Sequence, residues 1–171
     1  EAKESDISAL LTHTTADGTL FERTIALDGE TIKVSTAVKA GVARTIDYHV
    51  HPEYDTATTS DDSAEVQIFI RDPEWVQANA GWQEALPVEA DERRIVGAAA
   101  GGAFAFFSRK AGFGVEQRFE PENTETLKLF WSPSRRQVNL EMFGKITPVE
   151  GGATYRYTYE IRYLTKPPIA E

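Results

Sequence analysis

Apolar and polar residues alternate along most of this chain with a period of two, which is the pattern of a half-buried β-strand. The clearest examples are residues 31–38 (TIKVSTAV), 65–71 (EVQIFIR) and 154–164 (TYRYTYEIRYL). Further strands are predicted at residues 20–27, 42–51, 93–98, 103–109, 114–119, 127–131 and 137–143. Turn-forming Gly, Pro, Asn and Ser separate these segments, and Asp28-Gly29 is a hairpin signal. About ten strands with short turns predict an all-β fold, an antiparallel β-sandwich or barrel.

One segment departs from the strand pattern. Asp72-Pro73 has the residues of a helix start, with Asp as N-cap and Pro at the first helical position. Residues 74–80 are therefore predicted to form one short helical insertion, docked on the sheet by Trp75 and Trp82. No repeat or strong linker divides the chain, so we expect a single domain over residues 1–171. Residues 1–17 are a candidate for a loosely ordered lead-in, with a short capped turn before residues 9–11.

Charge and composition narrow the range of partners. The chain has 171 residues, 41% of them hydrophobic, and 18 basic residues against 27 acidic ones, for a net charge of −9. Nucleic acid and anionic membranes both require clustered basic residues, so we expect neither as a partner. Cysteine is absent, which excludes a disulfide framework, a thiol nucleophile and a cysteine-ligated zinc. We expect no cofactor.

Two of the three histidines lie within residues 47–54 (DYHVHPEY). Side chains two apart in a strand share a face, so Asp47, His49 and His51 are predicted to lie together. Imidazole titrates near neutral pH and suits proton transfer, and a nearby carboxylate fixes its tautomer. A solvated strand face on which the polar residues are histidines remains an equal alternative. A metal site using His-x-His with Glu53 or Asp47 is disfavoured, because no further histidine follows.

Glu141 is the one acid in the apolar segment 137–143 (QVNLEMF). Alternation predicts that it shares a polar face with three other residues, Gln137, Asn139 and Phe143, while Val138, Leu140 and Met142 enter the core. A carboxylate on such a face can act as a general base where protein covers it. The alternative is an exposed acid paired with a nearby base, for which the candidates are Arg135, Arg136 and Lys145.

Aromatic side chains are candidates for stacking on sugar rings, although most are expected in the core. The candidates are Trp131, Tyr54, Phe113, Trp75 and Trp82, with Arg109 or Arg136 to hydrogen-bond hydroxyl groups. An acidic loop is a weaker candidate for calcium, because its spacing is irregular and a solvated loop explains it better. Its acids are Asp55, Asp61, Asp62 and Glu65.

The order of these motifs resembles that of galactose mutarotase-like proteins, the aldose 1-epimerases and their relatives. Residues 18–34 contain R-T-I-x-L-x-G-x-x-I-x-V, residues 51–54 read HPEY, and an apolar strand with one Glu follows at residues 138–143. The resemblance implies a supersandwich-like antiparallel β-sandwich, and sandwich domains of this type are also attached to glycoside hydrolases and lyases. The resemblance implies that His51 is the acid at the sugar's ring oxygen and that Glu141 is the base at the anomeric hydroxyl. It also makes His49, Asp47, Trp131, Arg136 and Tyr54 candidate substrate-binding residues.

The family's usual domain is longer than this chain, and HPEY replaces HP followed directly by an aromatic. We therefore predict a carbohydrate-associated domain, a sugar-binding or accessory module of a larger carbohydrate-active protein with an extracellular or periplasmic location. An aldose 1-epimerase-type enzyme and a structural or interaction sandwich without a sugar site are the alternatives. Edge strands of such a sandwich also make a homodimer a candidate assembly.

Overall fold

The structure, a computed structural model, describes residues 7–50, 66–71, 73–78, 92–95, 101–132 and 137–169. These residues form fourteen strands and a 3₁₀ turn at Pro121–Asn123. The strands are β1 (Ile7–Thr14), β2 (Leu20–Asp28), β3 (Thr31–Lys39), β4 (Arg44–Ile46), β5 (His49–Val50), β6 (Val66–Arg71), β7 (Trp75–Gln77), β8 (Glu92–Ile95), β9 (Ala103–Ser108), β10 (Phe113–Phe119), β11 (Thr124–Ser132), β12 (Gln137–Gly144), β13 (Thr147–Val149) and β14 (Thr154–Leu164). No α-helix occurs in the described residues, so the predicted all-β fold is confirmed.

The strands form two main antiparallel sheets. The large sheet has eight strands in the order β1-β2-β3-β14-β10-β9-β6-β7, and the small sheet has four in the order β5-β12-β11-β8. A two-stranded pair, β13-β4, lies beside them. The Asp28-Gly29 hairpin is confirmed: Asp28 pairs with Thr31 across the turn, and Gly29 has φ 59°. β1 and β7 end the order of the large sheet, and pairing of two chains at such an edge stays a prediction.

The core lies between the two sheets. Phe104 and Phe106 of β9 and Tyr157 of β14 come from the large sheet, and Leu127 and Met142 come from the small one. Each of these five side chains is 1% exposed or less. Alternate residues of β9 turn to the other face of the large sheet, where a second apolar cluster forms with Trp75 beside it; its buried members are Phe69, Ala105 and Phe107. β9 is buried on both faces, which explains its unbroken apolar sequence.

The predicted helical insertion is wrong where the structure describes it. Trp75–Gln77 forms β7, which pairs with β6 so that Trp75 lies opposite Arg71. A helix this short does not offset its nucleation cost, whereas a strand gains ladder hydrogen bonds and packs Trp75 against the second cluster. Pro73 lies in the connection between the two strands and serves as a turn residue. Trp82 lies outside the described residues.

Two further predictions are corrected. The strand predicted at 42–51 is two short strands, β4 on β13 and β5 on β12, because Tyr48 between them turns inward against Tyr157. The chain therefore passes from one sheet to another at Asp47 and Tyr48. The capped turn before residues 9–11 is also wrong, since β1 runs through them and pairs with β2. No helix in the described part of the chain is long and apolar enough to span a bilayer.

Candidate functional site

The candidate site lies on the small sheet, on the face turned away from the core. Met142 points into the core, so the alternating neighbours Glu141 and Phe143 point to the opposite face. Val50 of β5 packs against the core and lies opposite Met142, which turns His49 to the same outer face as Glu141 and Phe143. β12 lies between β5 and β11, so side chains from three strands meet here.

His49 contacts both outward side chains of β12. It lies directly opposite Phe143, and the two rings stack with centroids 4.3 Å apart and planes 16° apart. Glu141 is its diagonal neighbour, with the imidazole Nε2 4.0 Å from the carboxylate Oε2. The side chain of Glu141 is 18% exposed and that of His49 is 40% exposed. A half-buried acid therefore lies beside an accessible imidazole that is held in place by an aromatic ring.

Lys128 joins this cluster from β11, on the side of β12 opposite to β5. It lies opposite Glu141 in the register of β11 and β12, and its Nζ is 4.2 Å from the centroid of the Phe143 ring. This is the distance of a cation–π contact. No pattern in the sequence points to Lys128, because its position beside Glu141 depends on which strand pairs with β12. We call His49, Lys128, Glu141 and Phe143 the outer cluster.

A glycine controls how closely β5 approaches β12. The Gly144 N–H donates to the Tyr48 carbonyl at 2.6 Å. A Cβ at Gly144 would lie 3.0 Å from both the Cβ and the carbonyl oxygen of Tyr48, which is tighter than nearly all real contacts. Tyr48 directly precedes His49, so this close approach sets the position of the imidazole. Burial raises the pKa of the Tyr48 phenol to about 12, consistent with its packing in the core.

The structure brings together two of the predicted site residues, His49 and Glu141. Asp47 is exposed in the link between β4 and β5, where the single strand predicted to align it with His49 is interrupted. Trp131 belongs to β11, where it pairs with Val138. His51, Tyr54 and Arg136 lie outside the described residues, so the predicted grouping of His51 with His49 stays a prediction.

The other candidates lie elsewhere or outside the described chain. Phe113 at the start of β10 stacks on Tyr163 near the end of β14, with centroids 6.0 Å apart. Arg109 is exposed just after β9. Among the described residues, no group of His, Cys, Asp and Glu has the arrangement to hold a metal ion. Glu53 and the acidic loop, which were the metal and calcium alternatives, lie outside the described range.

Comparison with known proteins gives matches in structure and none in sequence. No protein-family model matches the chain, and no curated protein matches it significantly. A candidate aldose 1-epimerase from Escherichia coli K12 has a TM-score of 0.62 over 96% of this chain and 67% of its own, at 11% identity. A galactose mutarotase-like protein from Lactobacillus casei ATCC 334 has a TM-score of 0.62 over 96% of this chain and 71% of its own, at 10% identity. The fold is that of galactose mutarotase-like structures.

The mutarotase-like fold also occurs within a longer chain. A TPR-domain containing protein from Parabacteroides distasonis ATCC 8503 has a TM-score of 0.66 over 94% of this chain but only 33% of its own length, at 10% identity. The Slr1438 protein from Synechocystis is likewise covered over 62% of its length. This chain therefore spans only part of these proteins. At such identities the likeness concerns the fold alone, and at that level the resemblance drawn from the sequence is confirmed.

Proposed function

We propose that this chain is a carbohydrate-binding β-sandwich domain, an accessory module of a larger carbohydrate-active protein. The observation that carries the proposal is the contact of His49 with Glu141 and Phe143 on an outer face of a mutarotase-like sandwich. Hydrogen-bond donors and acceptors next to an aromatic ring match the chemistry of a sugar. Its hydroxyls donate and accept hydrogen bonds, and its C–H faces pack on aromatic surfaces.

Each member of the outer cluster has a distinct role in this proposal. The Glu141 carboxylate accepts hydrogen bonds from sugar hydroxyls, and the Lys128 ammonium donates them. His49 donates or accepts through its ring nitrogens, and the ring of Phe143 behind it keeps the imidazole in one orientation. Asp47, Trp131, Arg136 and Tyr54 remain proposed additional contacts. The fold of the Parabacteroides protein, in which a similar sandwich is one third of a chain, supports the module interpretation.

An aldose 1-epimerase-type activity is the second candidate, and the low exposure of Glu141 beside an imidazole favours it. In this proposal Glu141 removes the proton from the anomeric hydroxyl as the bond between C1 and the ring oxygen breaks. His51 donates a proton to that ring oxygen, which gives the open-chain aldehyde. Rotation of the aldehyde and reversal of both proton transfers close the ring as the other anomer, with no net change in either residue.

Calorimetric titration with a panel of neutral monosaccharides tests the binding proposal. We expect saturable heat with at least one sugar, and roughly tenfold or greater loss of affinity in Glu141→Gln and His49→Ala, since each removes a hydrogen bond to the ligand. Glu30→Gln, an exposed acid in the β2–β3 turn, is the matched control and should bind as the unaltered chain does. Absence of heat with every sugar would leave only a structural or interaction sandwich.

Polarimetry separates the two candidates. Freshly dissolved α-glucose or α-galactose should change rotation faster with the protein than without it if the chain is an epimerase. His51→Ala and Glu141→Gln should then both return the rate to that of buffer, while Glu30→Gln retains the full rate. Sugar binding without faster mutarotation supports the binding module and argues against an epimerase activity.

A further inference from the structure

A hollow lies on the large sheet, and none of its lining residues belongs to the outer cluster. It has a volume of about 230 Å³ and lies where β1, β2 and β3 run side by side. Leu11 and His13 of β1, Phe21 and Arg23 of β2, and Thr36 of β3 line it. In the register of the large sheet Arg23 pairs with Thr36, and Thr36 pairs with Tyr157. The hollow is therefore on the core-facing side of the large sheet, whereas the outer cluster is on the outer face of the small sheet. We call it the Arg23 hollow.

Arg23 supplies the only permanent charge directed into the hollow by the described strands. Its Nε donates to the Thr36 hydroxyl at 3.2 Å, and Thr36 is only 7% exposed, so the guanidinium is anchored on a buried group. Glu22 also borders the space, but alternation along β2 directs its side chain to the opposite face. Arg23 is otherwise exposed, and its guanidinium offers its terminal N–H groups as a planar fork, the geometry that binds a carboxylate through two hydrogen bonds.

Arg23 carries its charge without an ion pair to any described acid. Acids outnumber bases by 27 to 18, and some described basic side chains do pair with carboxylates: Lys33 with Asp28 at 2.8 Å, and Arg162 with Glu116 at 2.7 Å. Arg23 forms no such ion pair with any described acid. Among the described residues, Arg23 therefore presents a cation without a carboxylate partner in a concave site, and an anion from solution can take that place.

The remaining walls limit the size and charge of that anion. Phe21 and Leu11 offer apolar surface, and the His13 ring lies 6.4 Å from that of Phe21. A single guanidinium balances one negative charge, which matches a carboxylate better than a phosphate dianion. The volume suits one small ring or a short chain. We propose that the Arg23 hollow binds a small monocarboxylate and, on the basis of the proposed carbohydrate function, an acidic monosaccharide of the hexuronate class.

Titration with sodium glucuronate, glucose and inorganic phosphate tests this site. We expect saturable glucuronate binding that weakens roughly ten- to hundredfold in Arg23→Gln, because a charge-assisted contact is lost. Arg156→Gln is the matched control: Arg156 is an exposed arginine on β14, paired with Ala37 on the opposite face of the same sheet, and its loss should not change the affinity. Raising the salt concentration should weaken glucuronate binding and leave glucose binding unchanged.

The outcomes distinguish this site from the outer cluster. Glucuronate binding that persists in Glu141→Gln and is lost in Arg23→Gln supports the hollow, whether or not neutral sugars bind. Binding lost in Glu141→Gln but retained in Arg23→Gln would overturn the inference and place the ligand at the outer cluster. No glucuronate binding, or tighter binding of phosphate than of glucuronate, would also overturn it. Failure of the neutral-sugar titration alone affects only the proposed function.

Discussion

Tyr157 offers the sharpest test of the two-layer architecture. Its side chain is 1% exposed, its ring lies 4.2 Å from that of Tyr48, and its hydroxyl donates to the Met142 sulfur at 3.0 Å. These contacts join β14 of the large sheet to β12 of the small one. Tyr157→Ala would remove a fully buried ring from between the layers, and such a deletion costs about 3–5 kcal/mol of unfolding free energy.

Tyr157→Phe separates the ring from the hydroxyl. It keeps the packing and removes only a hydrogen bond to a neutral sulfur, so we expect a loss of about 0.5–1.5 kcal/mol. Tyr163→Ala is the matched control, because Tyr163 lies on the same face of the same strand but is 54% exposed. Its truncation should cost about 0.5–1.5 kcal/mol, as only a surface aromatic contact with Phe113 is lost.

Equilibrium urea denaturation measures all three variants, with the midpoint and the slope fitted together. The expected order of destabilisation is Tyr157→Ala well above Tyr157→Phe and Tyr163→Ala, at an unchanged slope. Equal losses for the two alanine variants would show that Tyr157 is no more buried than Tyr163, and the packing of the two sheets described above would then be refuted.

Three further outcomes are expected. Glu116 is 2% exposed and forms ion pairs with the half-exposed Arg118 and Arg162 at 2.6 and 2.7 Å. Glu116→Ala should therefore lower the unfolding free energy by about 1–3 kcal/mol in urea denaturation. A loss no greater than that of the Glu30→Gln control would contradict a stabilising role of these two ion pairs. Gly144→Ala should displace Tyr48 and weaken the sugar binding that we propose for the outer cluster, as measured by calorimetry. Unchanged affinity would show that the glycine does not position His49. Burial raises the pKa of Tyr48 from 10.0 to about 12, so the unfolded chain loses that proton first and the unfolding free energy should fall as pH rises from about 10 to 12. Tyr48→Phe should flatten this decline, and an unchanged pH dependence in the variant would argue against a buried phenol.

Strand prediction succeeded wherever alternation extended over several residues. The segments that became β2, β3, β6, β12 and β14 were located to within about two residues, because one side of each faces apolar surface and the pattern records it. Prediction failed at Trp75–Gln77, where a helix-start signal of two residues was outweighed by pairing with β6. It also failed at residues 42–51, where the inward turn of Tyr48 divides one apparent strand between two sheets.

The candidate site was accessible to prediction only in part. Alternation correctly assigned Met142 to the core and turned Glu141 outward. The proton-transfer role of His49 stays a prediction. Nothing in the order of residues indicated Lys128, or that the ring of Phe143 would lie under His49. These contacts depend on the register between strands far apart in sequence.

The sequence by itself determined the class of fold and which side chains share a face, because the two-residue period of a strand is a local property of the backbone. The tertiary structure alone decided which strands are neighbours, and therefore that β5, β12 and β11 bring an imidazole, a carboxylate and an ammonium together. It alone also placed Arg23 beside Thr36, without an ion pair to any described acid. The physical reason is that strand pairing is settled by the packing of the whole core, to which each segment contributes only one side.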